Sequence, residues 1–155
     1  FSALTGLRLG DVTKLRWEQI QHSESLGYFI RFTQSKTKSM ETLPISDEAV
    51  SLLGTYEESE VCIFGDYNFQ RDYANLNRWL QRAGIRKKIT FHNFRHTFAT
   101  LQLAEGTDIY TVSKLLGHKH IHTTQIYGKV MDSTKTKAMK SIQLGISSDN
   151  KRQEK

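Results

Sequence analysis

Cysteine and proline are nearly absent from this sequence: Cys62 and Pro44 are the single examples in 155 residues. One thiol excludes an internal disulfide framework and fits a reducing, cytoplasmic setting. No apolar run approaches the roughly 18 residues that a membrane-spanning helix needs, so no membrane partner is expected. The N-terminus lacks a basic stretch followed by an apolar one, and it opens on Phe1 inside the apolar run Phe1-Ser2-Ala3-Leu4-Thr5-Gly6. It therefore reads as a piece of a longer protein rather than as a processed leader. Internal repeats and low-complexity segments are also missing.

What the chain has in excess is positive charge. Twenty-two Lys and Arg stand against 16 Asp and Glu, a net charge of +6 that favours polyanionic partners. The charge is also unevenly placed. Between Asp47 and Asp66 there are six acidic residues and no basic one, whereas Arg71 to Arg95 holds seven basic residues and one acidic, Asp72. After Gly128, seven basic residues face three acidic ones, giving +4, which a solvated basic tail would also show.

The length suits one domain with a single substantial core. Hydrophobic spacing and turn residues predict a short helix over 10–16, capped near Asp11, and then a β meander over 17–21, 28–33 and 41–45. In the second strand Tyr28, Ile30 and Phe32 form an apolar face opposite Phe29, Arg31 and Thr33. The polar connection from Gln34 to Met40 carries Lys36 and Lys38 at a hairpin tip, and Pro44 marks an edge strand. Helices are predicted from Ser46, over 72–83, over 91–104 with Phe94, Phe98 and Leu101 on one stripe, from Thr107 or Asp108 to Gly117, and over 133–143. The expected fold is mainly α with a small antiparallel three-stranded β-sheet.

Four segments carry residue types suited to chemistry. In His92-Asn93-Phe94-Arg95-His96, positions 92, 95 and 96 share a helical face, so imidazole and guanidinium are presented together while Phe94 points to the core. A guanidinium fork matches phosphate oxygens and an imidazole moves a proton near neutral pH, although a core histidine pair with an Arg ion pair would give the same pattern. Leu116-Gly117-His118 ends a helix and puts His118 in the next turn; His118, His120 and His122 invite a metal-site reading, but no Cys, Asp or Glu occurs in 109–131 to complete the ligand set. Thr123-Thr124-Gln125-Ile126-Tyr127 reads either as a capped turn with a packed tyrosine or as a phenol nucleophile. A phenol, with a pKa of about 10, needs a base or a cluster of cations beside it for the second role. Arg8 lies in Thr5-Gly6-Leu7-Arg8-Leu9-Gly10-Asp11, between two glycines and ahead of a helix, where it can project into a cleft or sit in a surface turn.

Taken in order, Thr-Gly-Leu-Arg-Leu-Gly-Asp, Ser-Lys-Thr-Lys before Leu-Pro-Ile, His-Asn-Phe-Arg-His-Thr-Phe-Ala-Thr, Leu-Leu-Gly-His and Thr-Thr-Gln-Ile-Tyr resemble the signature blocks of the tyrosine recombinase, or phage integrase, family. The resemblance runs from about Leu4 to Val130. It implies a catalytic domain over 1–146 with an N-terminal DNA-binding domain missing, while the polar composition from Ser147 predicts a disordered basic tail over 147–155. It also implies Arg8 and Arg95 as phosphate clamps, Lys36 as the hairpin lysine, His92 and His118 as active-site histidines, Tyr127 as nucleophile, and Asp11 and His96 as supporting residues. Lys38 competes with Lys36 for the lysine position. The expected reaction cuts and rejoins double-stranded DNA through a 3′-phosphotyrosine, without metal, ATP or other cofactor, in a synapse of typically four subunits. It would serve integration or excision of a mobile element, in the nucleoid of a bacterium or its phage.

Three other functions use the same residues. A tyrosine-type topoisomerase shares the chemistry but not the strand exchange, a DNA-binding module would carry a dead site, and a metal-binding domain would use His118, His120 and His122.

Overall fold

The computed structural model describes residues 1–36, 38–56, 62–65, 67–131 and Met139. The chain order is α1 (Ser2–Thr5), α2 (Leu9–Val12), a 3₁₀ turn (Trp17–Gln19), β1 (Ile20–Ser23), β2 (Gly27–Thr33), β3 (Met40–Pro44), α3 (Asp47–Ser51), α4 (Phe69–Arg82), α5 (Phe91–Ala104) and α6 (Ile109–Leu115). Two further 3₁₀ segments, Ile121–Thr123 and Gln125–Met131, follow. The predicted helix over 133–143 and the tail over 147–155 lie outside the described residues, apart from Met139.

The sheet is an antiparallel meander in the order β1-β2-β3, with Ile20 opposite Ile30 and Ile30 opposite Leu43. Pro44 closes β3, an edge strand, where a missing N–H costs no ladder bond. The predicted first strand starts late because Trp17–Gln19 winds into a 3₁₀ turn, with the Gln19 side chain accepting from the Arg16 N–H. The alternation in β2 holds for Ile30 and Phe32, but Tyr28 at the strand's start is exposed and Phe29 on the other face is buried.

Two apolar clusters form the interior. Leu7, Val12, Leu15, Ile30, Phe32, Leu43, Ile45, Ala49 and Leu53 join α2, the sheet and α3. Phe98, Ala99, Leu103, Val112, Leu116 and Tyr127 join α5, α6 and the last 3₁₀ segment. Leu115 packs against both. On α5 the buried stripe is Arg95, Phe98, Ala99 and Leu103, so Leu101 faces solvent and a guanidinium occupies a core position. The helix caps follow the polar residues of the sequence: Ser46 accepts from Ala49 N–H, Asn68 from Arg71 N–H and Asp108 from Thr111 N–H. Asp11 is not the cap of α2. That position falls to Arg8, and Asp11 is buried inside the helix.

The first turn is tied to α5 by Gly6, which ends α1 at φ 67 with the Phe98 ring against its Cα. A Cβ there would lie 2.5 Å from Phe98 Cδ1, so Gly6→Ala meets both an unfavourable backbone conformation and a filled core. We expect it to cost about 2 to 4 kcal/mol in urea unfolding. A loss below about 1 kcal/mol would mean that Phe98 swings aside without penalty.

Candidate active site

The seam between the two clusters holds the charged residues. Arg95 is 4% exposed, and a buried cation is tolerable only when its N–H groups are satisfied. Two backbone carbonyls do this: Arg95 Nη1 donates to Gly6 O at 2.6 Å, and Nη2 donates to Leu116 O. Arg8 enters from the other cluster, donating from Nη1 to Gln34 Oε1 at 2.9 Å and from Nη2 to Gly117 O at 3.5 Å. Neither guanidinium is ion-paired with a carboxylate among the described residues. Burial and the neighbouring Arg8 push Arg95 down to about 10, which leaves it charged at neutral pH. Two cations brought together with carbonyls as their partners create a site whose electrostatic demand is met by an anion.

Arg8, Lys36, His92, Arg95, Gly117 and His118 line one cavity of about 420 Å³ together with Lys119, His120 and Thr123. The helical face expected for 92, 95 and 96 is present but graded by burial: Arg95 is buried, His96 half-buried and His92 exposed. The His92 and His96 rings meet edge to face at 4.5 Å. His118 follows the Gly117 turn, its backbone N–H on Ser113 O at 3.0 Å and its Nδ1 against Thr124 Oγ1 at 2.9 Å. Lys36 reaches the cavity from the hairpin tip, whereas Lys38 is not among the lining residues. Lys38 adopts φ 58, a left-handed backbone that breaks the strand alternation expected to turn both lysines to one side.

Tyr127 stands beside this cavity rather than lining it. Its ring packs with Phe98, Leu103, Val112 and Leu116, and its hydroxyl lies 2.6 Å from His96 Nδ1. The imidazole touching the phenol is therefore that of His96, with His92 one ring further out. Burial pushes the Tyr127 phenol above its ordinary value, and Arg95 acts in the opposite direction. Asp11 supports from behind: its Oδ1 accepts from the Ser35 N–H at 2.8 Å and so holds the base of the lysine hairpin.

Two residues of this arrangement escaped the reading of the sequence. Thr124 is fully buried with its hydroxyl on His118, and Gln34 is 4% exposed with its amide on Arg8. Thr124 lies inside a quoted motif, but its signal there was that of a helix cap. Gln34 gave no signal beyond being polar in a polar connection. His120 and His122 stack on each other at 5.4 Å, and both are exposed. Among the described residues no group of His, Cys, Asp and Glu is arranged to hold a metal ion.

A helical domain with a three-stranded meander thus carries two guanidinium groups, three imidazoles and two lysines around one cavity, with a phenol at its side, and belongs to the class of domains whose site suits an anion. Residues 1–134 match the phage integrase family, and the chain belongs to that family. It is 30% identical over 144 residues to a tyrosine recombinase of Thermosipho africanus, covering 88% of this chain and 50% of that protein. It is 34% identical over 141 residues to tyrosine recombinase XerA of Saccharolobus solfataricus, covering 89% and 47%. The chain thus spans about half the length of these curated relatives. Its fold is that of the crystal structure of XerA recombinase (TM-score 0.69, 28% identity, 90% of this chain and 54% of that one) and of the catalytic domain of bacteriophage HP1 integrase (TM-score 0.68, 29% identity, 90% and 76%).

The histidines make the fold sensitive to acid. Burial first, then Arg95 and Arg8, push His118 from 6.5 down to about 4, and burial with the same kind of neighbours lowers His92. The unfolded chain therefore takes up protons below about pH 6.5 that the folded protein refuses until near pH 4, so stability is full above that window and falls as pH drops through it. We expect a lower melting temperature at pH 5 than at pH 7.5, with a smaller difference in His118→Gln. Equal pH dependence in the variant would assign the effect to other groups.

Proposed function

We propose that this chain is the catalytic domain of a site-specific DNA recombinase that cuts and rejoins strands through a 3′-phosphotyrosine. The observation that carries this is the convergence of Arg8, Lys36, His92, Arg95 and His118 on one cavity beside the Tyr127 phenol. The phenolic oxygen attacks phosphorus and the P–O5′ bond breaks, so the bond to Tyr127 replaces the one lost. The phenolic proton leaves toward the histidine pair, where His96 Nδ1 already contacts the hydroxyl and His92 abuts His96. Arg8, Arg95 and His118 stabilise the charge that grows on the five-coordinate phosphorus, and Lys36 protonates the departing 5′ oxygen. A 5′-hydroxyl from a partner strand then reverses the sequence, which requires no metal or ATP because the phosphotyrosine conserves the bond energy.

His118 does this best as the tautomer with Nε2–H facing the phosphate. In the anion-free cavity burial and the two guanidinium groups hold this ring's pKa at about 4, so what it offers an arriving anion at neutral pH is a neutral N–H. A Thr124 hydroxyl donating to Nδ1 selects that tautomer.

Double-stranded DNA is the partner this reading requires. Solved relatives include XerH recombinase bound to its difH substrate and Tn1549 transposon integrase bound to circular-intermediate DNA. The exposed run Arg86-Lys87-Lys88 and the exposed Arg78 and Arg82 of α4 supply positive surface for such a backbone. Assembly as four subunits around a junction belongs to the same proposal, with the basic segment after Gly128 contributing contacts to DNA or to a neighbouring subunit. The relatives named above are recombinases, which favours strand exchange over topoisomerase activity. No described helix is long and apolar enough to cross a membrane, and the reading places the protein at the nucleoid.

In the full-length protein, Tyr127→Phe should abolish covalent adducts with duplex DNA while leaving affinity nearly intact, since only the reacting oxygen is lost. Adducts at the normal level would sink the assignment. The general acid is tested separately by replacing the 5′-bridging oxygen with sulfur, a leaving group that needs no proton. That substrate should restore cleavage to Lys36→Ala and do little for Arg95→Ala, whose loss should cost about 3 kcal/mol or more in the chemical step. Rescue of Lys38→Ala, with Lys36→Ala cutting ordinary DNA normally, would move the role to Lys38.

A further inference from the structure

Arg8 is held by a side chain that itself belongs to the lysine hairpin. Gln34 follows the last residue of β2, and its backbone closes the hairpin by donating to Ser39 O at 2.9 Å and accepting from Lys38 N–H at 3.0 Å. Its Oε1 accepts from Arg8 Nη1 at 2.9 Å. The same amide lies on the Cα of Gly117, where a Cβ would come within 2.0 Å of Nε2 and 2.8 Å of Cδ. Gly117 O in turn accepts from Arg8 Nη2 at 3.5 Å. Gln34, Arg8 and Gly117 therefore close a triangle, and each corner carries a different part of the site: the hairpin with Lys36, the guanidinium, and the turn that delivers His118.

Gly117 is consequently constrained twice, by φ 58 and by the amide packed on it. The chemistry of the amide matters as well as its shape. A neutral oxygen orients the guanidinium but leaves its charge uncompensated, whereas a carboxylate in the same place would neutralise the cation that an incoming phosphate must find. Ser35, the next residue, donates its N–H to Asp11 Oδ1 at 2.8 Å, so the root of the hairpin is pinned from two directions. Lys36 is two residues from Gln34, a span of at most about 7 Å, and its reach is measured from that anchor.

We infer that Gln34 is a positioning residue that orients the Arg8 guanidinium and registers the lysine hairpin against the Gly117–His118 turn. The inference rests on the proposed DNA-cleaving function for its consequence but on hydrogen bonding alone for its contact. Both are tested in the full-length protein with Gln34→Leu, which removes the acceptor, and Gln34→Glu, which keeps an acceptor and adds a charge.

Without DNA, the Arg8 guanidinium N–H signals, followed by ¹⁵N NMR, should be resolved and slowly exchanging in the wild type and averaged in Gln34→Leu. In single-turnover cleavage of ordinary duplex, Gln34→Leu should be slower by about tenfold to a hundredfold. Gln34→Glu should be at least as slow despite retaining its Arg8 signals, because the guanidinium it holds is neutralised. The 5′-sulfur substrate should recover only part of the Gln34→Leu loss, the part that passes through Lys36. If Gln34→Leu does not fold by its melting curve, Gln34→Glu carries the test alone. Wild-type rates in the variants, or unchanged Arg8 signals in Gln34→Leu, would overturn the inference. A wild-type protein that forms no adduct would overturn the proposed function instead, while the guanidinium signals would still decide whether Gln34 holds Arg8.

Discussion

The arrangement depends on one buried cation bound by two carbonyls. Arg95 occupies a position on α5 that the packing of Phe98, Ala99 and Leu103 would otherwise give to an apolar side chain. Its charge is sustained by Gly6 O and Leu116 O, the buried C-terminal ends of α1 and α6. The guanidinium thus fixes the end of α1 and the end of α6 relative to α5, and these are the places from which Arg8 and His118 depart. Removing it would leave a void and two unsatisfied carbonyls together, so the residue that organises the site also closes the seam between the two clusters.

Much of this was legible in the residues. The span of α5 was predicted to the residue because Phe91 to Ala104 carries helical apolar spacing and Gly106 follows it, and the meander followed from alternation and Pro44. Local patterns failed where tertiary partners decide. Leu101 fits the apolar spacing of α5, but Arg95 takes the stripe because the carbonyl pair that satisfies it comes from residues 89 and 21 positions away. Asp11 has the chemistry of a cap, yet it is drawn inward by the Ser35 N–H at the base of the hairpin. Helix periodicity put His92, Arg95 and His96 on one face; it could not say that the phenol would meet His96 rather than His92.

Glycine and amide together explain how turns bring Arg8, Lys36 and His118 to the guanidinium and imidazoles that α5 presents. Gly6 and Gly117 each have a positive φ, and each lets another side chain approach where a Cβ would stand, the Phe98 ring in one case and the Gln34 amide in the other. Their carbonyls are then free to point at the two guanidinium groups. The carbonyl dipoles attract the cations without cancelling them, so the cavity is cationic and its geometry is set before any anion arrives.

The sparse anchoring of α4 has a consequence of a different kind. Of its 14 residues only Leu80 is buried, and it presents Phe69, Trp79, Arg71, Arg78 and Arg82 to solvent. A helix so lightly tied to the core can exchange most of its outward side chains at little cost to packing, Phe69 and Tyr73 excepted, since these line a cavity with Arg8, His92 and Arg95. The outer surface of this helix can therefore be rewritten at little thermodynamic risk, so its shape and charge are set independently of the buried seam beneath it.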